Sequence, residues 1–295
     1  MPVDFSAPSL GAVEFALPLI KQFGAELHLV YVFAEEYPIS ALVTMPFVLP
    51  EDGINRSVHR HLKDVAKKYS IELPGENLHS LKGRPFEEIC RLAREVNIDL
   101  IIIATRGNTG LKHLMLGSTA ERVVRYSSCP VLVVRDAERE GALTRFGKVL
   151  VPIDFSECSM KGLTYAMAFA KQFKSKLVLL NSVQFQYYVA SDEYARYDVP
   201  QLMQYAETSA REQMDDLVKK TGWDGLDVEI SLQSGHPGQQ ICEHARDSGF
   251  DLIVTSTHGT TGFKHLLLGS VAEYVVRHAH CPVLVVPTRA SASQK

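Results

Sequence analysis

The chain contains no CxxC pair, and its five cysteines (Cys90, Cys129, Cys158, Cys242 and Cys281) are an odd number. This excludes the usual disulfide frameworks and the common thiolate zinc spacings. Cys90 and Cys242 lie at matching places in the two halves, as do Cys129 and Cys281, each among apolar neighbours; buried thiols in a reducing compartment are expected. No apolar run approaches the 18 or more residues of a membrane-spanning helix. Basic residues are not in excess: 31 Lys and Arg stand against 34 Asp and Glu, a net charge of −3, which argues against a broad nucleic-acid footprint. Met1-Pro-Val-Asp4 carries no basic or hydrophobic leader, so a cytoplasmic location is expected. There is also no Gly-Lys-Ser/Thr phosphate loop, no Ser-Gly-Gly loop, and no clear general base beside the glycines described below.

What is present is an ordinary globular composition, 46% hydrophobic and 22% charged, in 295 residues. That length suits two domains of about 150 residues, each able to bury a core. An internal repeat supports the division. Pro2-Val-Asp-Phe-Ser6 matches Pro152-Ile-Asp-Phe-Ser156, Lys21-Gln-Phe23 matches Lys171-Gln-Phe173, and Gly83-Arg-Pro85 matches Gly235-His-Pro237. A unit this long is no solenoid element, so a whole domain is duplicated. The expected boundaries are 1–135 and 147–295, joined by a charged linker over 136–146.

The most informative stretch runs from Asp251 to Val286, with a twin from Asp99 to Val134. Each reads as an apolar strand, a glycine-punctuated loop, a helix and a second apolar strand. The loop Ser256-Thr-His-Gly259 is followed after nine residues by Gly269-Ser270; Ala104-Thr-Arg-Gly107 is followed at the same spacing by Gly117-Ser118. Ser270-Val-Ala-Glu273 and Ser118-Thr-Ala-Glu121 have the form of capping boxes, with Ser expected as the cap. A helix start presents unpaired N–H groups and a positive dipole end, and a neighbouring Gly lets an anion come close. Glycines and caps at such turns also serve backbone geometry alone. The same spacing kept twice favours a phosphate cradle.

The second unit reads in order as strand Lys148–Ile153, a helix capped by Ser156, strand Leu177–Leu180, and a polar and aromatic segment from Gln184 to Pro200. An amphipathic helix Leu202–Lys220, strand Val228–Leu232 and a helix opening at Pro237 follow. This alternation predicts a parallel sheet with right-handed crossovers and helices on both faces. The first unit follows the same plan, but only Met1-Pro2-Val3 stands where its opening strand belongs. If that strand is central, its loss strips backbone pairings from the middle of the domain. Either the true start lies upstream or this half is weakened.

With these residues in view, the chain resembles a tandem, two-domain member of the universal stress protein family. The resemblance covers nearly the whole chain. It implies two tandem Rossmann-like domains of the adenine nucleotide alpha hydrolase-like kind, each a five-stranded parallel sheet with helices on both faces. In ATP-binding members the Gly-rich block reads Gly-x2-Gly-x9-Gly-Ser/Thr; here Ala104 and Ser256 replace the first Gly, and a positive φ there would be costly for either. The resemblance further implies that Asp154, following Pro152, and Asp4 meet the adenine or ribose end of a ligand, with Asp154 also readable as a plain helix cap. Backbone near Ser182 and Val32 would line the base. Ser256, His258 and Gly259 with Gly269, Ser270 and Val271 would hold phosphates, and Ala104, Arg106 and Gly107 with Gly117, Ser118 and Thr119 are their counterparts. The ligand implied is ATP or AMP, with or without Mg.

Arg106 and His258 share one loop position; Arg is charged at any ordinary pH, whereas His has a reference pKa near 6.5. His236, His278 and His280 make no metal pattern. Tyr187, Tyr188, Tyr194 and Tyr197 suggest a lid or simply a surface loop. The terminal strands Val131–Val134 and Val283–Val286 are apolar edges that invite pairing. In the family this strand dimerises, so an intrachain pseudo-dimer is expected, and a further homodimer is left open. The functional expectation is a stress-response module that binds an adenine nucleotide and signals to an unknown protein partner, with no nucleic-acid or membrane role. A nucleotide-independent scaffold and a slow ATP hydrolase are the alternatives.

Overall fold

The computed structural model describes residues 1–33, 51–105, 116–135, 146–184, 199–259 and 268–288. The chain divides into two compact units, the first built on Met1–Thr144 and the second on Arg145–Thr288. None of the described helices is long and apolar enough to cross a membrane.

The first unit runs α1 (Ala7–Phe23), β1 (Leu29–Phe33), α2 (Glu51–Lys68), β2 (Leu78–Lys82), α3 (Pro85–Glu95), β3 (Ile101–Ala104), α4 (Ser118–Tyr126) and β4 (Val131–Val134). The second runs β5 (Lys148–Pro152), α5 (Glu157–Phe173), β6 (Lys176–Val183), α6 (Val199–Lys220), β7 (Val228–Ser234), α7 (Pro237–Asp247), β8 (Leu252–Ser256), α8 (Ser270–His278) and β9 (Val283–Val286). Every strand pair within each unit is parallel.

In the second unit the five strands lie in the order β9-β8-β5-β6-β7. The chain first builds outward from β5 through β6 to β7, then returns to the other side of β5 for β8 and β9. Right-handed crossovers therefore put α5 and α6 on one face and α7 and α8, which pack on each other, on the opposite one. The order reverses between β5 and β8, the place where open α/β sheets keep their ligand crevice. Five aliphatic side chains on these central strands (Leu150, Leu177, Leu179, Leu252 and Ile253) are fully buried, as near-continuous apolar runs of doubly covered parallel strands should be.

β5 is the hinge of this arrangement. It pairs with β6 along its whole length but with β8 only through Val149↔Leu252 and Leu150↔Ile253. The Ile153 amide donates to Leu180 on β6 at 2.8 Å, so the nitrogen of Pro152 points to the β8 side. Proline has no N–H to offer there, and the two strands separate beyond that point. At the opposite end, Phe146 packs edge-on to Phe169 and Phe173 with ring centroids 4.7 and 5.0 Å apart, anchoring the start of β5.

Among the described residues the first unit shows four strands rather than the five the resemblance implies, because only a stub stands where its opening strand belongs. β1 pairs with β2, and β3 with β4, while the place corresponding to β5 holds only a bridge between Pro2 and Val30. Val3 donates to Val30 at 2.9 Å and Val30 to Met1 at 3.0 Å. The core around this stub is still substantial: Val3, Val13, Leu29, Val58, Leu62 and Leu78 form one buried cluster. Phe23, the counterpart of Phe173, is 50% exposed.

Two outcomes follow from this asymmetry and from the His pair at the edge of β1. Deuterium exchange should proceed faster at the amides of Leu29–Phe33 and Ile101–Ala104 than at those of Val149–Val151 and Leu252–Ser256. His28 Nδ1 lies 3.0 Å from His79 Nε2, and the rings stack at 5.3 Å. Burial, then the charges of His28, the N-terminus and His59, push the His79 pKa down to about 4. Between the ordinary value of 6.5 and that value the unfolded chain binds more protons than the folded one, so stability falls as pH falls through this window. Denaturation midpoints measured from pH 7 to pH 4 should decline in the wild type and decline less in His79→Gln.

Candidate functional site

Two helix starts face the point where β5 and β8 separate, and they are finished differently. Ser156 caps α5: its hydroxyl accepts the Ser159 amide at 3.1 Å. Ser6 does the same for α1, accepting the Ser9 amide at 3.3 Å. α8 instead begins from Gly269 as its N-cap, and α4 from Gly117, and neither start has a side-chain cap. This corrects the expected capping boxes. Ser270 and Ser118 are the first helical residues rather than the caps, and both are exposed. The first-turn amides of α8 and α4 are thus left without a capping side chain, the condition that suits a bound anion.

The loops leading to these helices close in the same way in both units. The Gly269 amide donates to the Thr257 carbonyl at 2.8 Å, and the Gly117 amide to the Thr105 carbonyl at 2.7 Å. The Thr257 and Thr105 amides in turn donate to Val286 and Val134, both at 3.0 Å. Ala104 and Ser256 are the last residues of β3 and β8, and neither has a positive φ. The replacement of the first Gly by these residues therefore carries no backbone strain. Ser256 is buried, and its hydroxyl donates to the His258 carbonyl at 2.7 Å, fixing the turn into Gly259.

Asp154 sits against this loop. Its Oδ1 accepts from the Ser156 amide at 3.1 Å and the Ser156 hydroxyl at 2.6 Å, so it does serve the α5 cap. Asp4 makes the same pair of bonds to Ser6, at 3.0 and 2.5 Å. Oδ2 of Asp154 lies on the other side, where a Cβ on Gly259 would come within 2.4 Å of it. No side chain fits at 259 unless the carboxylate moves. A Cβ on Gly269 would stand 3.2 Å from the Thr257 carbonyl. Asp154, Ser256 to Gly259 and Gly269 are thus gathered at one place.

The backbone that aims the carboxylate is strained, and identically so in both units. Phe155 has φ 62° and Phe5 φ 61°, a left-handed conformation unusual for a bulky residue. Strain of this kind costs about 1–3 kcal/mol and persists where surrounding contacts fix it. No pattern in the sequence announces it. The hydroxyl of Thr257 was also not anticipated. With that of Thr288 it holds the His258 ring: Nδ1 is 3.0 Å from both hydroxyl oxygens, which are 3.2 Å apart. Thr257 lay inside the quoted loop, but Thr288 has no sequence signal linking it to a residue 31 positions away.

Ser182 stands on β6, and its hydroxyl donates to the Gly235 carbonyl at 3.0 Å. The Gly235 amide donates to Val183 at 3.1 Å, as the Gly83 amide does to Phe33 at 2.9 Å, and both glycines take positive φ (134° and 146°) that a side chain would resist. Val32 lies in β1, paired with Leu81. Asn181, beside Ser182, is another unforeseen contributor: its amide donates to the Ile153 carbonyl at 2.8 Å and ties β6 to the end of β5. Val271 and Thr119 are in the first turns of α8 and α4. Arg106, Gly107 and Tyr187, Tyr188, Tyr194 and Tyr197 lie outside the described residues.

The thiols show one departure from expectation. Cys90, Cys129 and Cys281 are buried, whereas Cys242 and Cys158 are partly exposed. Burial raises the Cys90 thiol to about 11 and moves Cys158 upward too, with the charges of Asp154 and Glu157 adding to the latter. Among the described residues no group of three or more His, Cys, Asp or Glu is placed to hold a metal ion.

The sequence profile of the Universal stress protein family matches residues 1–135 and 145–287. The chain belongs to this family, with the fold present twice. Universal stress protein MJ0531 of Methanocaldococcus jannaschii is 34% identical over 149 residues, covering 48% of this chain and 82% of that one. A universal stress protein of Mycolicibacterium smegmatis is 26% identical over 302 residues, 97% of this chain and 96% of its own. Among solved structures, a universal stress protein from Archaeoglobus fulgidus superposes with a TM-score of 0.63 at 22% identity, covering 97% of this chain and 94% of that one, a likeness of fold.

Because Gly259 abuts Asp154, Gly259→Ala should destabilise the protein by about 1–3 kcal/mol, the usual range for overpacking. Chemical denaturation of the variant beside Gly222→Ala, where a Cβ meets open space, checks this.

Proposed function

We propose that the second unit binds an adenine nucleotide, ATP or AMP, at the carboxyl ends of β5 and β8, and that the protein acts as a nucleotide-responsive stress module. The observation that carries the reading is the contrast between the two helix starts at the switch point. α5 is closed by its own Ser156, whereas α8 starts from a glycine with no side-chain cap. Phosphate oxygens would take the amides of Gly269, Ser270 and Val271 together with those of the Ser256–Gly259 loop. The negative charge of Asp154 on the far side of Gly259 fixes the polarity of the ligand. Phosphates are repelled from that side toward α8, leaving the ribose hydroxyls and the base for Asp154 and the backbone near Ser182. In this reading the His258 ring, held by Thr257 and Thr288, would add a contact to phosphate.

In the first unit Asp4, Val32, Ala104 and Gly117 to Thr119 would take the corresponding places. The loss of strand pairing beside Asp4 makes this the weaker site. The family assignment supports the reading, as does the repetition of the loop closure in both units. Turnover is not part of the proposal.

Titration calorimetry with ATP and with AMP is the direct test. Heat of binding is expected for the wild type. Asp154→Ala should weaken binding about tenfold or more, Asp4→Ala less, and Gly259→Val should remove it while Asp154→Asn retains part. Absence of heat at millimolar nucleotide would leave the family's scaffold role in its place.

A further inference from the structure

Several cations among the described residues are paired with acids. Arg84 meets Glu87 at 3.3 Å, Arg91 meets Glu88 and Glu95 at 2.5 and 2.7 Å, Lys171 meets Asp224 at 2.5 Å and Lys176 meets Glu229 at 2.7 Å. α2 carries a continuous row of cations without such acids. Arg56, Arg60, Lys63 and Lys67 are spaced four, three and four residues apart, so all four fall on one line of the helix. All four are exposed, and among the described residues none has an ion-pair partner. The lower end of the line opens on an apolar groove of about 670 Å³, where Lys63 and Lys67 flank Ile71, Leu73 and Pro74, with Glu72 its one acid.

The fold does not require this stripe. When Lys67-Lys68 is aligned with Lys219-Lys220, the twin helix α6 carries Glu212 and Asp215 where α2 carries Arg60 and Lys63. α6 is thus acidic on the corresponding face, and near its start it carries the two most exposed large hydrophobic side chains among the described residues of the unit, Tyr205 at 75% and Leu202 at 47%. Its Asp216 is held only by a 3.4 Å contact to Lys220 within the same helix.

We propose that the basic face of α2 is a docking surface for α6 of a second copy of this chain. The two helices match when laid antiparallel. With Tyr205 set over Lys67 and the groove, Glu212 falls opposite Arg60 and Asp216 opposite Arg56, since the intervals of seven and then four residues are the same on both helices. Seven residues span about 10.5 Å on each, so no stretching is needed. Tyr205 and Leu202 then enter the apolar groove beside Ile71 and Leu73, and the Lys67 ammonium lies over an aromatic ring. Antiparallel alignment also puts the positive end of each helix dipole beside the negative end of the other. The contact joins two different surfaces, so each copy offers one basic and one acidic face. Charge pairs of this kind set register and partner choice, while the apolar anchor supplies the area removed from water.

The test is the molar mass of the full chain, by sedimentation over a range of concentration, in about 0.05 M and about 1 M salt. Concentration-dependent association that weakens at high salt is expected, since exposed ion pairs are screened there. Arg60→Glu and Glu212→Arg should each raise the dissociation constant about tenfold or more, and Tyr205→Ser should do the same. Circular dichroism should stay unchanged, because all three side chains are exposed. Equimolar Arg60→Glu and Glu212→Arg proteins, mixed, should associate again, and so should the double variant. A wild type that stays monomeric at every concentration overturns the proposal. So does association that ignores these charges, or charge reversals that fail to restore each other. Capture of a persistently monomeric protein by phosphatidylserine vesicles or by single-stranded RNA would assign the stripe elsewhere and also overturn it.

Discussion

The ladder of hydrogen bonds on either side of β5 is what the second unit is built on. A strand in the middle of a parallel sheet satisfies neighbours on both edges, so its residues decide how far those neighbours stay together. β5 holds β6 throughout, but it releases β8 after two residue pairs, and Pro152 withholds a donor where the release occurs. The crevice is therefore a product of backbone bonding before any side chain is considered. The first unit shows the converse. With only the Pro2–Val30 bridge at that place, β1–β2 and β3–β4 are left as separate pairs.

Around the crevice, each feature is held by something other than itself. The Asp154 carboxylate is aimed by an Asx-type turn to Ser156 and by a Phe155 backbone held in a left-handed conformation. Gly259 is glycine because the carboxylate occupies the volume of its missing methyl group. The His258 ring is oriented by two threonine hydroxyls, one from its own loop and one from beyond β9. The uncapped start of α8 and the Asp154 carboxylate both meet the short loop that holds Gly259, which would give the proposed site a direction.

Much of this was legible in the sequence, for identifiable reasons. Duplication was visible because Asp-Phe-Ser, Lys-Gln-Phe and the glycine spacing recur in both halves. The Ser156 cap was readable because a side chain that accepts an amide leaves a signature. The capping boxes at Ser270 and Ser118 misled by one residue: Ser-x-x-Glu looks the same whether Ser precedes the helix or begins it, and a glycine cap has no side chain to announce it. The strain at Phe5 and Phe155 was invisible, since nothing about phenylalanine suggests a positive φ. The Thr257–Thr288 contact was equally hidden, being a product of strand order rather than of spacing. The fear of strain at Ala104 and Ser256 dissolved because each ends a strand instead of entering the turn.

The glycine start of α8 has a thermodynamic reach beyond recognition. An anion taken up by the uncapped amides of this start, as proposed above, would meet them only in the folded chain and so would favour folding by mass action. An occupant present at a hundred times its dissociation constant adds about 2.7 kcal/mol to the folding equilibrium. A change of that size shifts how much chain is open to proteases at any moment. The level of the occupant would then be written into how long each molecule survives, giving the cell a readout that needs no moving part.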